Sequence, residues 1–294
     1  MPSAVADWLD VLGCPRCQGT LRLMTGGALH CPACDCRFIV RADGVPALVR
    51  REDAAELAAF SRRYREARLH EGWRPLMSSQ ALDLPYGSPP GYPRLYWEVR
   101  RQSYGALVDQ LSHAGPHPEA GPAADLGAGT GWLAYRLAGA GYRVVAVDAS
   151  LDDDFGLEAA AIYRAAAGDR LLPVQGNLEC LPLRRGGLSL AVFNASLHYA
   201  RDLGRTLSRA AAALRPEGCL VVLDTPVAAR PRPGTGRGDR HLGRRELEQA
   251  MEAAGLRLRW ISVRRGVRWW MHQAKACLKG DARFRFPMII GVRE

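Results

Sequence analysis

Four cysteines near the N-terminus occur as two pairs with the spacing of metal ligands. The pairs are Cys14-Pro15-Arg16-Cys17 and Cys31-Pro32-Ala33-Cys34, and thirteen residues separate them. Each CxxC sequence forms a tight turn that presents two thiolates, and four thiolates suit tetrahedral zinc. Because four protein ligands close the coordination shell, such a site is structural rather than catalytic. We therefore predict a zinc ion bound by Cys14, Cys17, Cys31 and Cys34.

Other possible donors do not change this prediction. His30 and Cys36 lie beside the two pairs, and Cys36 could replace one of the four ligands. The remaining cysteines are scattered along the chain, so they suggest no disulfide framework. The alternative interpretation is a ribbon whose cysteines are reduced and no longer hold a metal.

A second group of residues with chemical potential follows a short apolar segment. The sequence Asp125-Leu126-Gly127-Ala128-Gly129-Thr130-Gly131 stands between a predicted strand and a predicted helix. Glycines let the backbone turn tightly and let a ligand approach the main chain. Seventeen residues after Gly131, Asp148 ends the next predicted strand, where a carboxylate can accept hydrogen bonds from ribose hydroxyls. The pattern predicts a ligand that contains a nucleoside.

The glycine segment does not fit a dinucleotide. A dinucleotide fingerprint reads G-x-G-x-x-G, and starting from Gly127 the sixth position is Trp132. The carboxylate of Asp125 would also be unfavourable beside a pyrophosphate. The same carboxylate would be favourable near the cationic amino-acid end of a sulfonium cofactor. We therefore favour a sulfonium cofactor over a nicotinamide dinucleotide.

Strands and helices that must position these residues alternate along the chain. Hydrophobic patterning predicts strands at residues 123–126, 143–148, 171–175, 188–193, 219–223, 256–263 and 286–292. It predicts helices at residues 51–70, 94–113, 132–140, 154–167, 201–214 and 244–254. This order predicts an α/β, Rossmann-like fold with a mostly parallel seven-stranded sheet and helices on both faces. A segment at residues 72–93, rich in Pro, Gly and Ser, predicts a linker or ordered loop, and residues 230–243 predict neither strand nor helix.

The predicted elements group into three units. Residues 1–50 form a small zinc-ribbon-like module, and residues 51–114 form a helical linker and cap. Residues 115–294 form the main domain. In parallel sheets the loops at the carboxyl ends of the strands build the ligand site. We therefore expect Asn177-Leu178-Glu179 and residues 194–199 to converge beside the glycine segment.

The chain resembles the class I S-adenosylmethionine (SAM) dependent methyltransferases in four ordered motifs, which are residues 125–131, Asp148, residues 177–179 and residues 194–199. The pattern is most similar to quinone-biosynthesis and small-molecule methyltransferases. The resemblance covers residues 123–224, with a weaker match at residues 244–264. It implies that SAM contacts a set of loop residues, namely Asp125, Gly127, Ala128, Gly129, Gly131, Asp148, Asn177, Leu178 and Asn194. In this family an Asp usually occupies the position of Asn177, whose amide can still accept or donate.

The same resemblance limits which acceptor groups and which catalytic residues we expect. The segment Asn194-Ala195-Ser196-Leu197 lacks the Asn/Asp-Pro-Pro-Tyr/Phe motif, so methylation of an adenine or glutamine amino group is disfavoured. Methyl transfer is an in-line displacement that depends on positioning the acceptor, and a base is needed only when the acceptor loses a proton. His198 and Tyr199 lie where the acceptor pocket is expected, and we predict them as the catalytic residues, with His198 as base or orienting group. Packing at the start of the next helix is the alternative.

The N-terminal module carries a resemblance of its own. Residues 12–49, with CPxC, CPxC and then Gly44-Val45-Pro46, are similar to the zinc-ribbon activator subunit of RNA and protein methyltransferases. A ribosomal RNA guanine-N1 methyltransferase family also places a zinc module ahead of its SAM domain, by analogy only. The resemblance implies zinc as a second bound group beside SAM.

The charge of the chain does not identify the methyl acceptor. The net charge is +10, and only two of the 40 basic residues are lysines, as is typical of a GC-rich genome. Residues 257–285 combine many Arg and Lys residues with Trp260, Trp269 and Trp270, a mix that can bind RNA, an anionic lipid surface or only solvent. Upstream, Tyr96, Trp97 and Arg100 could roof the cofactor. Residues 230–240 could form a lid.

Three functions remain open at this point. The first is a methyltransferase acting on a small-molecule acceptor, the second is an RNA methyltransferase, and the third is a scaffold that binds SAM or zinc without turnover. No apolar run approaches the roughly 18 residues of a membrane span. Residues 1–12 lack the basic start and apolar core of a secretory signal. We therefore expect a cytoplasmic enzyme.

Overall fold

The structure is a computed structural model, and it describes residues 5–76, 78–87, 89, 94–228, 241–278 and 284–294. The side chains of Ser78, Ala276 and Cys277 lie outside this description. The predicted lid at residues 230–240 also lies outside the described residues, as do Lys279 and Arg283 of the basic segment and most of residues 88–93. None of the helices in the described ranges is long and apolar enough to span a bilayer.

The N-terminal unit is a run of four short antiparallel strands. They are β1 (Arg22–Leu23), β2 (Leu29–Cys31), β3 (Cys36–Val40) and β4 (Pro46–Leu48). We call residues 12–48 the cysteine module. Within it β2 and β3 form a hairpin in which Cys31 lies opposite Cys36. The Gly44-Val45-Pro46 segment that was predicted to be strand-like leads directly into β4.

Eight helices follow in the described residues. They are α1 (Ala54–His70), α2 (Ser78–Asp83), α3 (Arg94–Ala114), α4 (Trp132–Gly139), α5 (Ala161–Ala167), α6 (Leu203–Ala213), α7 (Arg244–Ala253) and α8 (Val267–Leu278). The strands between them are β5 (Ala123–Leu126), β6 (Val144–Asp148), β7 (Leu171–Gly176), β8 (Leu188–Asn194), β9 (Leu214–Leu223), β10 (Val227–Ala228), β11 (Leu242–Gly243), β12 (Leu256–Ile261), β13 (Phe284–Arg285) and β14 (Met288–Arg293). The predicted alternation of strands and helices is confirmed.

One large sheet organises the molecule. Across the described residues it has eleven strands in the order β1-β2-β3-β4-β7-β6-β5-β8-β9-β14-β12. The central strands from β4 to β9 pair in parallel, while β14 and β12 are antiparallel at one edge. The Rossmann-like α/β fold is therefore confirmed. The predicted count of seven strands was wrong, because four strands of the cysteine module hydrogen-bond onto the edge of the seven that were expected.

Alternate residues of the central strands enter two different cores. Along β6, Val145 and Val147 pack into one core while Val144 and Ala146 pack into the other, as the period-two geometry of a strand requires. The first core includes α6, α7 and the cysteine module, and the second includes α3, α4 and α5. Both faces of the sheet are thus covered, as parallel sheets require.

The cysteine module is built into this sheet rather than tethered to it. In β4, Ala47 pairs with Gln175 of β7 and Leu48 pairs with Gly176. The module also shares an apolar core with the main sheet, to which it contributes Leu12, Leu29, Phe38 and Leu48. A further main-chain bond joins the Gly13 N–H to the carbonyl of Pro182 at 2.9 Å. The module and the main domain therefore fold around a common core.

Several predicted boundaries were wrong for local reasons. Residues 154–160 form turns rather than the start of a helix, because Asp152 Oδ1 accepts the N–H groups of Asp154 and Phe155 at 3.0 and 2.8 Å. Such side-chain bonds offer the backbone an alternative to the helix. A short helix, α2, lies inside the segment predicted as a loop. Leu242–Gly243 form β11, which pairs in parallel with β10.

A buried ion pair joins three elements near the carboxyl end of β9. Arg265 Nη2 lies 3.5 Å from Asp224 Oδ1, and both side chains are 4% exposed. Arg265 also donates to the carbonyls of Val99 at 2.8 Å and Phe286 at 2.7 Å. The hydroxyl of Ser103 donates to the same Asp224 oxygen. This pair therefore fastens α3 and the segment before β14 to the end of β9.

Removal of Arg265 is expected to destabilise the protein strongly. Arg265→Met leaves Asp224 buried without its cation, so we expect the free energy of unfolding to fall by about 3–5 kcal/mol. The double variant Asp224→Asn/Arg265→Met should recover part of this loss. Urea unfolding measures the free energy of unfolding of both variants. Arg264→Met, which replaces an exposed neighbouring arginine, is the matched control. Equal stability of Arg265→Met and Arg264→Met would show that the pair does not hold these elements together.

Candidate active site

A cavity of about 310 Å³ lies where the carboxyl ends of the parallel strands meet α1. Loops after β5, β6, β7 and β8 form its floor. Residues of α1 form its roof, including Leu57, Phe60 and Tyr64. This is the place at which open α/β sheets bind ligands. The convergence of these loops, predicted from the order of strands, is confirmed.

The glycine segment makes the floor of the cavity by a turn that no other residue type allows. Gly127 has φ +77°, and a Cβ there would lie 2.4 Å from the Cβ of Ser196. Gly129, with φ +54°, also lies at the cavity. The N–H of Gly127 donates to the carbonyl of Val147 at 2.8 Å, which ties the turn to the end of β6. The backbone of this turn is therefore open to a ligand.

Two carboxylates flank the turn. Asp148 is held by two main-chain donors, Gly129 N–H to Oδ2 and Ser150 N–H to Oδ1, each at 2.8 Å. Each oxygen keeps a lone pair for another donor, and the side chain lies at the cavity. Burial raises the pKa of Asp148, although these backbone hydrogen bonds oppose the rise. Asp148 is thus a fixed, half-buried acceptor.

Asp125 lies deeper, at 1% exposure. Its Oδ2 accepts the N–H of Ala134 at 3.1 Å, but its Oδ1 has no hydrogen-bond partner among the described residues. Burial, and secondarily the charge of Asp148, raise the pKa of Asp125 to about 7. A buried carboxylate oxygen without a donor is costly unless a cation or donor completes it.

The loop after β7 is held by residues from the N-terminal side of the chain. Asn177 Oδ1 accepts the N–H of Glu179 at 3.0 Å, and its Nδ2 donates to Asp53 at 3.3 Å. Arg50 in turn donates to both oxygens of Asp53, at 2.6 and 2.7 Å. An Asp in place of Asn177 would bring a second carboxylate against Asp53. The amide therefore suits this chain, in which the segment before α1 packs on the loop.

Helix α1 is fixed across the cavity at several points. Arg65 lies 2.7 Å from Asp152 and 2.6 Å from Asp154, both in the loop after β6. Glu56 pairs with Arg201 beyond β8. The rings of Phe60 and Tyr64 pack edge-on against Tyr199, each with a centroid distance of 5.7 Å. Sequence analysis predicted the helix but did not place it in the site. Its aromatic residues on one face were the available signal.

His198 and Tyr199 both lie at the cavity, beside each other. Their ring centroids are 4.3 Å apart, and His198 is 8% exposed. The hydroxyl of Tyr199 accepts a hydrogen bond from Arg68 at 2.6 Å. Ser196, in the same loop, donates to the carbonyl of Leu126 and so ties this loop to the glycine turn. The structure thus brings the two predicted catalytic residues next to the predicted cofactor loops.

The predicted site residues divide into two groups. The residues that line the cavity are Gly127, Gly129, Asp148, Asn177, Leu178, His198 and Tyr199. The residues that support it from behind are Asp125, Ala128, Gly131 and Asn194. Tyr96, Trp97 and Arg100, which we expected as a roof, do not line it. Trp97 is buried, and Tyr96 is 48% exposed.

The four predicted metal ligands meet at one point. The Sγ atoms of Cys14, Cys17, Cys31 and Cys34 all lie within 4.8 Å of one another. The Cys14–Cys34 and Cys17–Cys31 pairs are 3.5 Å apart, and Cys17–Cys34 are 3.7 Å apart. Tetrahedral zinc with bonds of about 2.3 Å separates its sulfurs by about 3.8 Å. The cluster therefore has the size of a tetrathiolate site.

The neighbouring donors and the thiol chemistry agree with this set. His30 Nε2 lies 2.8 Å from Asp35 Oδ1, and neither His30 nor Cys36 belongs to the four-sulfur group. Burial raises the pKa of Cys14 to about 11 and also raises the pKa of Cys34. Thiols held protonated in this way release protons when a metal binds.

The basic segment near the C-terminus divides between packing and solvent in the described residues. Arg265 is buried in its ion pair, and Trp269 is 6% exposed. Trp260 packs under Arg244, whose Cζ lies 4.6 Å from the ring centroid. Trp270, at 54% exposure, is the large exposed aromatic of α8. Arg265, Trp260 and Trp269 therefore serve packing, whereas most of the other described basic residues of the segment are exposed.

Known proteins share the fold described above. Residues 124–222 match the family described as a methyltransferase domain. Among curated proteins no significant match is found.

Three solved structures illustrate the similarity. Geranyl diphosphate C-methyltransferase from Streptomyces coelicolor A3(2) has a TM-score of 0.57 and 19% identity, covering 81% of this chain and 97% of that one. Phosphoethanolamine N-methyltransferase 2 from Haemonchus contortus, solved with SAM, has a TM-score of 0.54 and 13% identity, covering 78% and 60%. The YcgJ protein from Bacillus subtilis has a TM-score of 0.51 and 15% identity, covering 66% and 99%. Residues 124–222 thus match the methyltransferase-domain family, and the chain shares the fold of these methyltransferase structures.

Proposed function

We propose that this protein transfers a methyl group from SAM to a small-molecule acceptor. The observation that carries the proposal is the cavity, in which the glycine turn, Asp148 and the Asn177 loop face His198 and Tyr199. A cavity of about 310 Å³ under a helical roof suits small ligands better than a polymer. Two of the proteins of similar fold are named for small acceptors, geranyl diphosphate and phosphoethanolamine.

The residues at the floor fit SAM in charge and in shape. The open backbone of Gly127 and Gly129 would take the methionine part, and Asp148 would accept the ribose hydroxyls. Leu178 and Asn177 would border the adenine. The unpartnered Oδ1 of buried Asp125 would be completed by the positive charge at the amino-acid end. SAM, when bound, supplies an electrophilic methyl group on a sulfonium.

His198 and Tyr199 are the residues of this cavity that can act on an acceptor. His198 would accept a proton from the acceptor or orient it, because an imidazole can do either near neutral pH. Tyr199, held by Arg68 through its hydroxyl, would form the wall against which the acceptor packs. The aromatic roof of Phe60 and Tyr64 would exclude water from the reacting atoms.

Zinc on the cysteine module would have a structural role. All four donors are thiolates, which closes the coordination shell, and the module continues through β4 into the edge of β7. Loss of the metal would therefore loosen the segment that holds Asp53 against Asn177. We assign the module to stability and to positioning of the loop after β7.

Asp125→Asn is expected to shift stability and SAM affinity in opposite directions. The folded-state pKa of Asp125 is raised to about 7 from an ordinary value of about 3.9. Between these values the folded state holds more protons than the unfolded state, so stability without SAM falls as pH rises from about 4 to 7. The variant should be more stable than wild type by about 1–3 kcal/mol at pH 8, and equally stable near pH 4. Its SAM affinity should fall by about 10- to 100-fold.

Urea unfolding across pH and calorimetric titration with SAM measure both effects. Asp169→Asn, an exposed carboxylate on the surface, is the matched control and should change neither quantity. Absence of SAM binding by the folded wild-type protein would contradict the proposed function itself. Unchanged SAM affinity in Asp125→Asn would contradict the role of Asp125 alone.

His198→Gln is expected to separate turnover from cofactor binding. If the imidazole takes the acceptor proton, kcat should fall by about 10²- to 10⁴-fold while the Kd for SAM stays within threefold. Formation of S-adenosylhomocysteine with a panel of phenols, amines and carboxylic acids measures turnover, with His117→Gln at the surface as control. A variant with wild-type kcat would assign His198 to packing.

Cys34→Ser is expected to remove zinc, whereas Cys36→Ser should keep it. Three thiolates bind zinc more weakly than four, and Cys36 lies outside the four-sulfur group. Metal analysis of the purified proteins should give about one zinc per chain for wild type and Cys36→Ser, and little for Cys34→Ser. Thermal unfolding should show a lower midpoint for the zinc-depleted variant. Equal metal content in the two variants would refute the assigned ligand set.

A further inference from the structure

Behind the wall formed by Tyr64 and Tyr199 lie two guanidinium groups on one indole ring. The Cζ atoms of Arg68 and Arg100 are 5.4 and 5.3 Å from the ring centroid of Trp73. Arg100 also lies 5.1 Å from the ring of Trp97, and Arg68 lies 4.8 Å from the ring of Tyr64. We call Arg68, Trp73, Trp97 and Arg100 the arginine–tryptophan cluster. Two like charges have thus been brought together around a shared aromatic surface.

Arg100 has no hydrogen-bond or ion-pair partner among the described residues, although it is half-buried. Its guanidinium group lies against two indole rings, which offer cation–π attraction but no acceptor atoms for its N–H groups. The carboxylate that acts on it, Asp224, is already engaged by Ser103 and Arg265. Burial lowers the pKa of Arg100, and Arg68 lowers it further, against the opposing charge of Asp224. Cations removed from water are normally paired, and Arg100 has no anion of its own among the described residues.

Arg68 connects the cluster to the cavity. Its Nη2 donates to the hydroxyl of Tyr199 at 2.6 Å, and its Nη1 pairs with Glu71 at 2.7 Å. The rings of Tyr199 and Tyr64 line the cavity. Arg68 therefore lies directly behind the Tyr199 ring of the cavity wall, where an acceptor that extends past this ring would meet it.

We propose that Arg68 and Arg100 bind an oxyanion of the methyl acceptor, either a carboxylate or a phosphate ester. This inference rests on the proposed function, because it takes the cavity as the acceptor site. Guanidinium groups recognise both kinds of oxyanion through paired N–H donors. The tryptophan rings then support the apolar body that carries the anion. The acceptor class is an anionic small molecule with an apolar or aromatic portion.

Anion-dependent thermal unfolding of the full-length protein tests this directly. The probes are sodium phosphate and sodium benzoate, each compared with sodium chloride at equal ionic strength. We expect the unfolding midpoint to rise with phosphate or with benzoate beyond the effect of chloride. A response to phosphate identifies a phosphate ester, and a response to benzoate identifies a carboxylate. If neither anion exceeds chloride, the proposal is overturned.

Substitutions of Arg100 and its neighbour test whether the anion binds at Arg100. Arg100→Met should reduce the apparent anion affinity at least about tenfold and should leave the midpoint in chloride equal to wild type or higher, because an unpaired cation is removed. Arg101→Met, the exposed neighbour on α3, is the matched control and should keep the full response. Arg100→Gln gives a second, polar replacement if the Met variant does not fold. A full anion response in the Arg100 variant, or a midpoint in chloride well below that of Arg101→Met, overturns the proposal.

Calorimetric titration of the same proteins with SAM separates this inference from the proposed function. Arg100 does not line the cavity, so we expect SAM affinity to change by less than threefold in Arg100→Met. Anion binding without SAM binding in wild type would overturn the proposed function and leave the oxyanion site. SAM binding without an anion response would overturn the oxyanion site alone.

Discussion

The parallel pairing of β4 with β7 is the contact on which the arrangement of the site depends. It covers only Ala47 with Gln175 and Leu48 with Gly176, yet it occupies an edge of the sheet that would otherwise expose unpaired backbone groups. From this edge the chain runs through Arg50 and Asp53 directly into α1. The cysteine module, the loop that carries Asn177 and the roof of the cavity therefore share one attachment.

Charge is distributed unevenly around the cavity, and the unevenness matches two different ligands. Two carboxylates, buried Asp125 and half-buried Asp148, stand at the glycine turn, where loss of solvent raises the pKa of each. Guanidinium groups of Arg68 and Arg100 stand behind the opposite, aromatic wall. Because these groups are partly or fully buried, their charges act more strongly on a bound ligand than they would in bulk water. Such a field favours a cation at one end and an anion at the other, which is the pairing of a sulfonium cofactor with an anionic acceptor.

Local sequence patterns were sufficient for the main domain because its elements follow short-range rules. The strand at Ala123–Leu126, the glycines that follow it and the acid at Asp148 were all predicted where the structure has them. They were predictable because a glycine turn and a buried parallel strand each have a distinctive local composition. The start of the helix predicted over residues 154–167 could not be predicted in this way. Residues 154–160 form turns because the side chain of Asp152 accepts backbone N–H groups there. A hydrophobic pattern does not show that a side chain competes with the helix for these backbone N–H groups.

Contacts between distant segments could not be predicted from the sequence for a different reason. Helix α1 was predicted, but no local rule states that its aromatic face would cover the ends of β6, β7 and β8. The residues that surround Trp73 come from α1, the following segment and α3, and their charges meet only after the chain has folded. The seven-strand prediction failed similarly, because a sheet edge gives no sign in the sequence of which segment will pair with it.

The sequence by itself determined the class of fold, the glycine turn with its acidic neighbours, and the grouping of four thiols by CxxC spacing. Each of these depends on residues close together in the chain, whose geometry is limited by backbone sterics and turn chemistry. Only the tertiary structure decided that the cysteine module extends the main sheet, that α1 roofs the cavity, and that Arg68 and Arg100 share one indole. Those outcomes depend on burial and edge pairing between distant segments, for which many alternatives satisfy the same local pattern.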